Sequence, residues 1–376
     1  MMLPNGWKKV RLSELGTFSK GSGIKRDEAN SGSIPAIRYG EIYTAHNDYI
    51  KQFQSFISEK VAKEATLLKN GDLLFSCSGE TKEDIGKCVA FVSNERAYAG
   101  GDIIILSPTV PCDSKYIGFL CNSSFVNKQR YSFAQGDSIV HISSESIGKI
   151  EIPFPPLNEQ KKIAATLSVW DSAIEKMEKL IEAKENELNI VLRQNSLEKG
   201  IALKWKEIPL TEILKSVTPP SKIHQDSYLN SGKFPIVDQS KDLIAGWTND
   251  ESSVLKINRP LIIFGDHTCA LKIMHMPFAQ GADGIKILSA KNGYDPTYIY
   301  YAIKANPVIP EGYKRHFSAL MLKSILCPSL EEQKKYAVYF KSLDEEISLL
   351  KQQLENYKKQ KQGLMQKLLT GQWRVK

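Results

Sequence analysis

The chain of 376 residues has no run of about 18 apolar residues, so no membrane-spanning helix is expected. Its opening, MMLPNGWKKVRLSEL, has neither an apolar core segment nor a small-residue cleavage site, which argues against a secretory signal and for a cytoplasmic protein. There are only six cysteines, at 77, 88, 112, 121, 269 and 327, and none forms a CxxC pair; a zinc ribbon or redox motif is unsupported, and reduced thiols are expected. The six histidines are scattered and never reach HExxH spacing. GETKEDIGKC, from Gly79, has six residues rather than four before Gly86-Lys87 and Cys88 in place of Ser or Thr, so it is no phosphate-binding loop. KGSGIK, from Lys20, lacks the third glycine of a dinucleotide fingerprint, and no Asn-Pro-Pro-aromatic base-methylation motif occurs. With no catalytic, cofactor or metal motif, a binding protein is the better reading. His267, beside Asp266 in GDHT, reads more readily as a recognition or surface residue than as a general base.

What is present is a repeat. PPLNEQKKIAATLSVWDSAIEKM begins at Pro155, and PSLEEQKKYAVYFKSLDEEISLL begins at Pro328. Behind the first, Ile163, Leu167, Trp170, Ile174, Met177 and Ile181 follow one another by steps of four and three; the pattern skips Lys184 and resumes at Leu188 and Val191. Behind the second run Tyr336, Phe340, Leu343, Ile347, Leu350, Leu354 and Tyr357, then a skip at Lys361, then Leu364 and Leu368. One offset, 173 residues, relates the two sets from Ile163/Tyr336 through Val191/Leu364. Alternating four-three spacing is the heptad seam of helices that pack lengthwise. Each helix is expected to run for about 40 residues, or about 60 Å. Ser329 with Glu332 has capping-box spacing, Asn158 is an acceptable cap in the first copy, and Gly200 and Gly371 are natural stops. The seams are expected to pack on each other, the alternatives being the neighbouring globule or a second chain. Lys184 and Lys361 either set the register or snorkel out of the seam.

The segments before the helices repeat as well. Trp7 answers Trp205 and Leu12 answers Leu210; SGSIPAI (Ser31) answers SGKFPIV (Ser231); LLFS (Leu73) answers LIIF (Leu261); GGDIIIL (Gly100) answers GADGIKIL (Gly281); YIGFL (Tyr116) answers YIYYA (Tyr298). Short β-branched runs bounded by Gly, Asn, Asp and Pro predict two mainly β globules with short helices. The fold class is therefore α+β with an internal pseudo-two-fold repeat: globule 1–154, long helix 155–200, globule 201–326, long helix 327–376. The loops diverge: twelve residues, SCSGETKEDIGK, follow Phe75, but only GDHT follows Phe264. Either the globules read two different targets, or the copies have simply drifted.

The doubled helix starts PPLNEQKKIA and PSLEEQKKYA, the terminal GLMQKLLTGQWRV and the opening W-K-x-V-R-L-S-E-L from Trp7 together resemble the specificity subunits of type I restriction-modification systems, over essentially the whole chain. The resemblance implies that each globule is a target recognition domain reading one half of a split double-stranded DNA sequence. It implies that the long helices form an antiparallel coiled coil that spaces them. It also implies a chain without catalytic activity or cofactor of its own. Such a chain recruits two modification (adenine methyltransferase) subunits, which bind S-adenosylmethionine, and restriction (translocase/nuclease) subunits, which use ATP and Mg. LRQNSLEKGI, from Leu192, aligns poorly with LMQKLLTGQW, from Leu364, so helix-end contacts are expected to differ between the halves. The rival is a stand-alone DNA-binding or coiled-coil scaffold without methyltransferase partners.

A net charge of +8 is compatible with a polyanionic partner. Cations on loops suit phosphates, and polar loop residues suit bases. The first-domain candidates are Lys20, Lys25, Arg26, Arg38, Tyr39, Ser78, Glu80, Thr81, Lys82, Tyr131, Gln135 and Asp137. The second-domain candidates are Lys222, Asp238, Gln239, Lys241, Asp266, His267, Thr268, Lys314 and Arg315. Gln160 and Gln333 begin both helices identically and are expected to mark equivalent partner-docking sites.

Overall fold

The computed structural model describes residues 3–79, 81, 84–133, 140–194, 198, 202–281, 284–312 and 314–375. The chain divides into two compact units, 1–176 with 354–376, and 177–353. The division cuts both long helices, Leu157–Arg193 and Leu330–Leu369.

In the first unit, Lys8–Arg11 pairs antiparallel with Glu151–Phe154, which brings the segment before the helix back to the start of the domain. Next to this ribbon lies an antiparallel sheet in the order Gly16–Lys20, Ile103–Pro108, Leu73–Ser76, Cys88–Ala90. A second sheet runs Ser55–Ile57, Ile34–Ile37, Tyr98–Ala99, Thr66–Leu67, with Ile34–Ile37 parallel to Tyr98–Ala99. Leu73 to Phe75 and Ile103 to Leu106 are buried on consecutive residues, not alternate ones. Both faces of that sheet are therefore covered, and the strands read as continuous apolar runs. One core gathers Leu73, Phe75 and Ile104 with Tyr116, Phe119 and Leu120 of the helix Ser114–Cys121; the other gathers Leu74, Ile103 and Ile105 with Ile37, Ile42 and Phe91.

The second unit repeats the plan. Lys206–Pro209 pairs with Ser324–Cys327. A sheet runs Leu214–Val217, Ile285–Ala290, Leu261–Gly265, Leu271–Met274. Another runs Gly246–Thr248, Phe234–Val237, Phe278–Gln280, Val254–Leu255, again with its two central strands parallel. The helix Pro296–Ala305 takes the place of Ser114–Cys121. The first unit adds a short ladder, Ser78–Gly79 with Val140–His141, in the loop region that is longer in its sequence.

The long helices pack antiparallel. In the first unit Trp170 meets Tyr357 edge-on at 5.9 Å, and Ile163 and Leu167 share a core with Leu368 and Leu369. In the second unit Lys184 pairs with Glu346 at 3.2 Å and Lys351 with Glu185 at 2.6 Å. The early part of each seam also serves its own globule: Ile163 and Leu167 join Tyr116 and Phe119, while the Tyr336 ring meets Tyr298 at a tilt and the Phe340 ring meets Tyr301 edge-on. Neither seam lysine snorkels free, since Lys361 pairs with Asp171.

The caps differ from expectation in one copy. Ser329 and Glu332 form the expected reciprocal bonds. Asn158, however, already lies inside the first helix, and the carbonyl of Pro156 accepts from the N–H groups of Glu159 and Gln160. Pro156 stands where Ser329 does in the repeat and has no side-chain acceptor, so the Glu159 N–H bonds its carbonyl where the Glu332 N–H bonds the Ser329 hydroxyl. Gly371, at φ +73°, follows the second helix; Gly200 lies outside the described residues. All six cysteines are free thiols, and among the described residues no helix is long and apolar enough to cross a membrane.

Candidate nucleic-acid interface

Each compact unit has a polar cleft at the same place in its fold. In the second unit Lys222 follows the strand Leu214–Val217, Asp266 and His267 follow Leu261–Gly265, and Gly284, Ile285 and Lys286 open Ile285–Ala290. Gln239, Gln280 and Arg315 complete a cleft of about 430 Å³. In the first unit Lys20 ends Gly16–Lys20, Cys77 and Ser78 follow Leu73–Ser76, and Asp102 precedes Ile103–Pro108. Phe133 and residues 141–144 with Ser146 close a cleft of about 400 Å³. Three strands of one sheet thus deliver side chains to one spot, twice.

Both clefts need a left-handed residue where the third strand begins: Asp102 at φ +60° and Gly284 at φ +100°. A Cβ on Gly284 would press on the Gln239 carboxamide, with Oε1 at 2.7 Å. The carboxamide can swing aside, so it is the backbone at φ +100° that calls for glycine there.

The linings differ in chemistry. The second cleft carries three cations, Lys222, Lys286 and Arg315, against one carboxylate. The first is rich in hydroxyls: Ser78 (8% exposed) bonds His141 Nδ1 at 3.1 Å, and Ser143, Ser144 and Ser146 stand beside it. The Cys77 thiol bonds Asp102, and burial pushes its pKa up, so it stays protonated.

Of the residues expected from sequence, seven line these clefts: Lys20, Ser78, Lys222, Gln239, Asp266, His267 and Arg315. Asp266 is not a free reader. It is 4% exposed, and its Oδ1 accepts from the N–H groups of His316 (3.0 Å) and Phe317 (2.8 Å). It braces the loop that presents Arg315. Asp238 and Thr268 are likewise engaged locally: Asp238 caps Ser240 N at 2.9 Å, and Thr268 Oγ1 donates to the Gln239 carbonyl at 2.7 Å. Lys25 and Arg26, at the start of the 3-10 turn Arg26–Glu28, and Lys241 are exposed outside the clefts, and Lys314 pairs with Glu311 at 2.5 Å. Arg38 and Tyr39 begin the short helix Tyr39–Thr44, where Tyr39 packs on the core. Thr81 bonds Asp84, and Tyr131 lies under the Arg130 guanidinium. Glu80, Lys82, Gln135 and Asp137 lie outside the described residues. Sequence reasoning missed His141, the Ser143–Ser146 hydroxyls, Asp102, Lys286 and Gln280. Only the matched runs GGDIIIL and GADGIKIL pointed towards any of them.

The docking expectation for Gln160 and Gln333 is corrected. Gln160 is fully buried, accepts from Asp113 N (2.9 Å) and donates to the Pro155 carbonyl (2.8 Å). Gln333 does the same with Asp295 N (2.9 Å) and the Pro328 carbonyl (3.0 Å). Asp113 and Asp295 are the N-caps of the helices Ser114–Cys121 and Pro296–Ala305. Each glutamine therefore staples its domain's helix to the start of a long helix and offers nothing to a partner. Among the described residues no group of three or more His, Cys, Asp or Glu side chains is placed to hold a metal.

Residues 4–185 match the family model of the type I restriction modification DNA specificity domain. Those residues carry that domain, and the chain is similar over its whole length to type I specificity subunits. One relative, described as the specificity subunit of the type I restriction enzyme MjaX of Methanocaldococcus jannaschii, is 26% identical over all of this chain and 95% of its own length. The fold is that of the crystal structure of the type I S subunit from M. genitalium (TM-score 0.66, 18% identity, 98% of each chain). It is also that of a chain from a structure describing complex assembly and conformational transition of the type I R-M system (TM-score 0.58, 16% identity, 99% of this chain and 100% of that one).

Proposed function

We propose that this chain is the DNA-reading, non-catalytic subunit of a type I restriction-modification enzyme, taking one half of a split duplex target in each recognition domain. The observation that carries this is the pair of clefts: one construction, built twice from the same three strands, lined with different chemistry. Two readers of unlike half-sites need a shared scaffold and unlike side chains. The antiparallel helix pair suits a spacer, because half-sites on one face of B-DNA lie about one turn, roughly 34 Å, apart and a flexible linker would blur that distance. Two modification subunits bringing S-adenosylmethionine, and restriction subunits bringing ATP and Mg, would supply the chemistry; this reading follows the family and the specificity-subunit relatives.

The test is co-expression with the cognate modification subunit, followed by genome-wide mapping of methylated adenine. A split motif with one fixed spacer, absent without this chain, is the expected result. No new methylation from a soluble, assembled complex would overturn the reading.

A further inference from the structure

Both long helices carry an aspartate at one register of the repeat, Asp171 and Asp344. Each meets a lysine. In the second unit Asp344 accepts from Lys304 Nζ (3.0 Å) and Tyr301 Oη (3.2 Å), both on the domain's own helix Pro296–Ala305. The corresponding helix of the first unit is aligned by Tyr116 and Tyr298, whose hydroxyls bond the carbonyls of Pro153 and Leu326. That alignment puts Phe119 where Tyr301 stands and Asn122 where Lys304 stands. Neither can form an ion pair.

The first unit takes its lysine from elsewhere. Lys361, in the seam of the second long helix, lies 2.5 Å from Asp171 Oδ1 and 3.5 Å from Asp48 Oδ2, over the Phe119 ring. Asn122 Nδ2 bonds Asp48 Oδ1 at 3.0 Å and so holds Asp48 towards that lysine. Lys361's own repeat counterpart is Leu188. One half has lysine on the domain helix and leucine in the seam; the other has asparagine and lysine.

We infer that Lys361 is the positioning residue of the first recognition domain, fixing the domain on the helix pair by bonding Asp171 and Asp48 together. The three side chains are 14%, 6% and 8% exposed, so the bonds are shielded from water and directional. Burial raises the Asp171 pKa even with Lys361 beside it, so the node is costly to form. Such a node is better suited to orientation than to stability. The consequence is an asymmetry. The lysine that meets the first long helix's aspartate comes from 313 positions along the chain from Asp48, whereas in the second unit it comes from the domain's own helix.

This rests on the spacer reading above, and the experiment separates the two. Lys361→Met and Lys361→Arg are made in the full chain, and two quantities are read. The first is methylation-motif spacing with the modification subunit. The second is hydrogen exchange of the Ile50 amide, bonded to the Ala90 carbonyl in the Asp48 loop, with no partner or DNA present. In the Met variant, methylation at altered spacings is expected to rise about tenfold with the second half-site unchanged, and Ile50 exchange to quicken by about tenfold. Arg is expected to restore both. If Lys361→Met does not fold, the double change Lys361→Met with Asp171→Asn removes the pair's charges and still lacks the Asp48 bond. A variant that loses thermal stability but keeps one spacing and wild-type exchange would overturn the proposal. If the wild type gives no split motif, the functional reading fails, and Ile50 exchange still decides the role of Lys361.

Discussion

Gln160→Ala removes two hydrogen bonds at once and leaves both partners buried. The Asp113 N–H loses its acceptor and the Pro155 carbonyl its donor, where the native side chain admits no water. An orphaned buried backbone group costs about 1–3 kcal/mol, so for two of them the expected loss is about 2–6 kcal/mol. Gln333→Ala should cost a similar amount, since its two bonds have the same partners in the repeat and the side chain is 2% exposed. Gln160→Glu should not rescue. A carboxylate still accepts from Asp113 but turns an oxygen, not an N–H, towards Pro155. Urea unfolding followed by tryptophan fluorescence measures this, because Trp7 is buried in the first unit and Trp205 half-buried in the second. A loss below about 0.5 kcal/mol in both alanine variants would refute the staple. So would full stability with impaired assembly, which would return these glutamines to a docking role.

Other outcomes are as specific. His46 is buried, its Nε2 has no hydrogen-bond partner, and burial followed by Lys87 pulls its pKa down to about 4. The folded state therefore resists protonation that the unfolded chain accepts near pH 6.5, and stability should fall as pH drops through that window. The expected loss is about 1.4 kcal/mol between pH 7.5 and 5.5, abolished in His46→Gln, as read by urea midpoints at each pH. Gly118→Ala would drive a Cβ into the Asp48 carbonyl, and a rise in stability would contradict the close approach of helix and loop. Its expected cost is about 1–3 kcal/mol. Arg315→Gln with Lys222→Gln should lower affinity for all DNA sequences and reduce the salt slope by about two, seen in binding titrations over a salt series. An unchanged slope would remove the second cleft from the duplex.

Some features were written along the chain, and others were not. The seam from Ile163 to Val191 and its copy from Tyr336 to Leu364 were legible because helical periodicity is a local property: which residues share a face follows from spacing alone. The paired strands were legible through runs such as LLFS and LIIF, since burial on both faces leaves an unbroken apolar string. The Ser329 cap was legible for the same local reason; the Pro156 cap was not, because a backbone carbonyl has no residue code. Gln160 and Gln333 misled. Identity at equivalent positions signalled a shared role, but whether a glutamine faces a partner or its own backbone depends on a helix some 40 residues away, at Asp113 or Asp295. Asp266 misled in the same way.

The sequence by itself determined the two-fold plan, the lengths and faces of the helices, and the family they resemble. Only the tertiary structure decided which side chains share a cleft and why one seam holds a lysine. Lys361 breaks a local pattern for the sake of Asp171 and Asp48, 190 and 313 residues away. Periodicity fixes the direction in which a side chain points. What it meets is fixed by the folding of distant segments, and charge pairing and hydrogen bonding act only once those segments are adjacent.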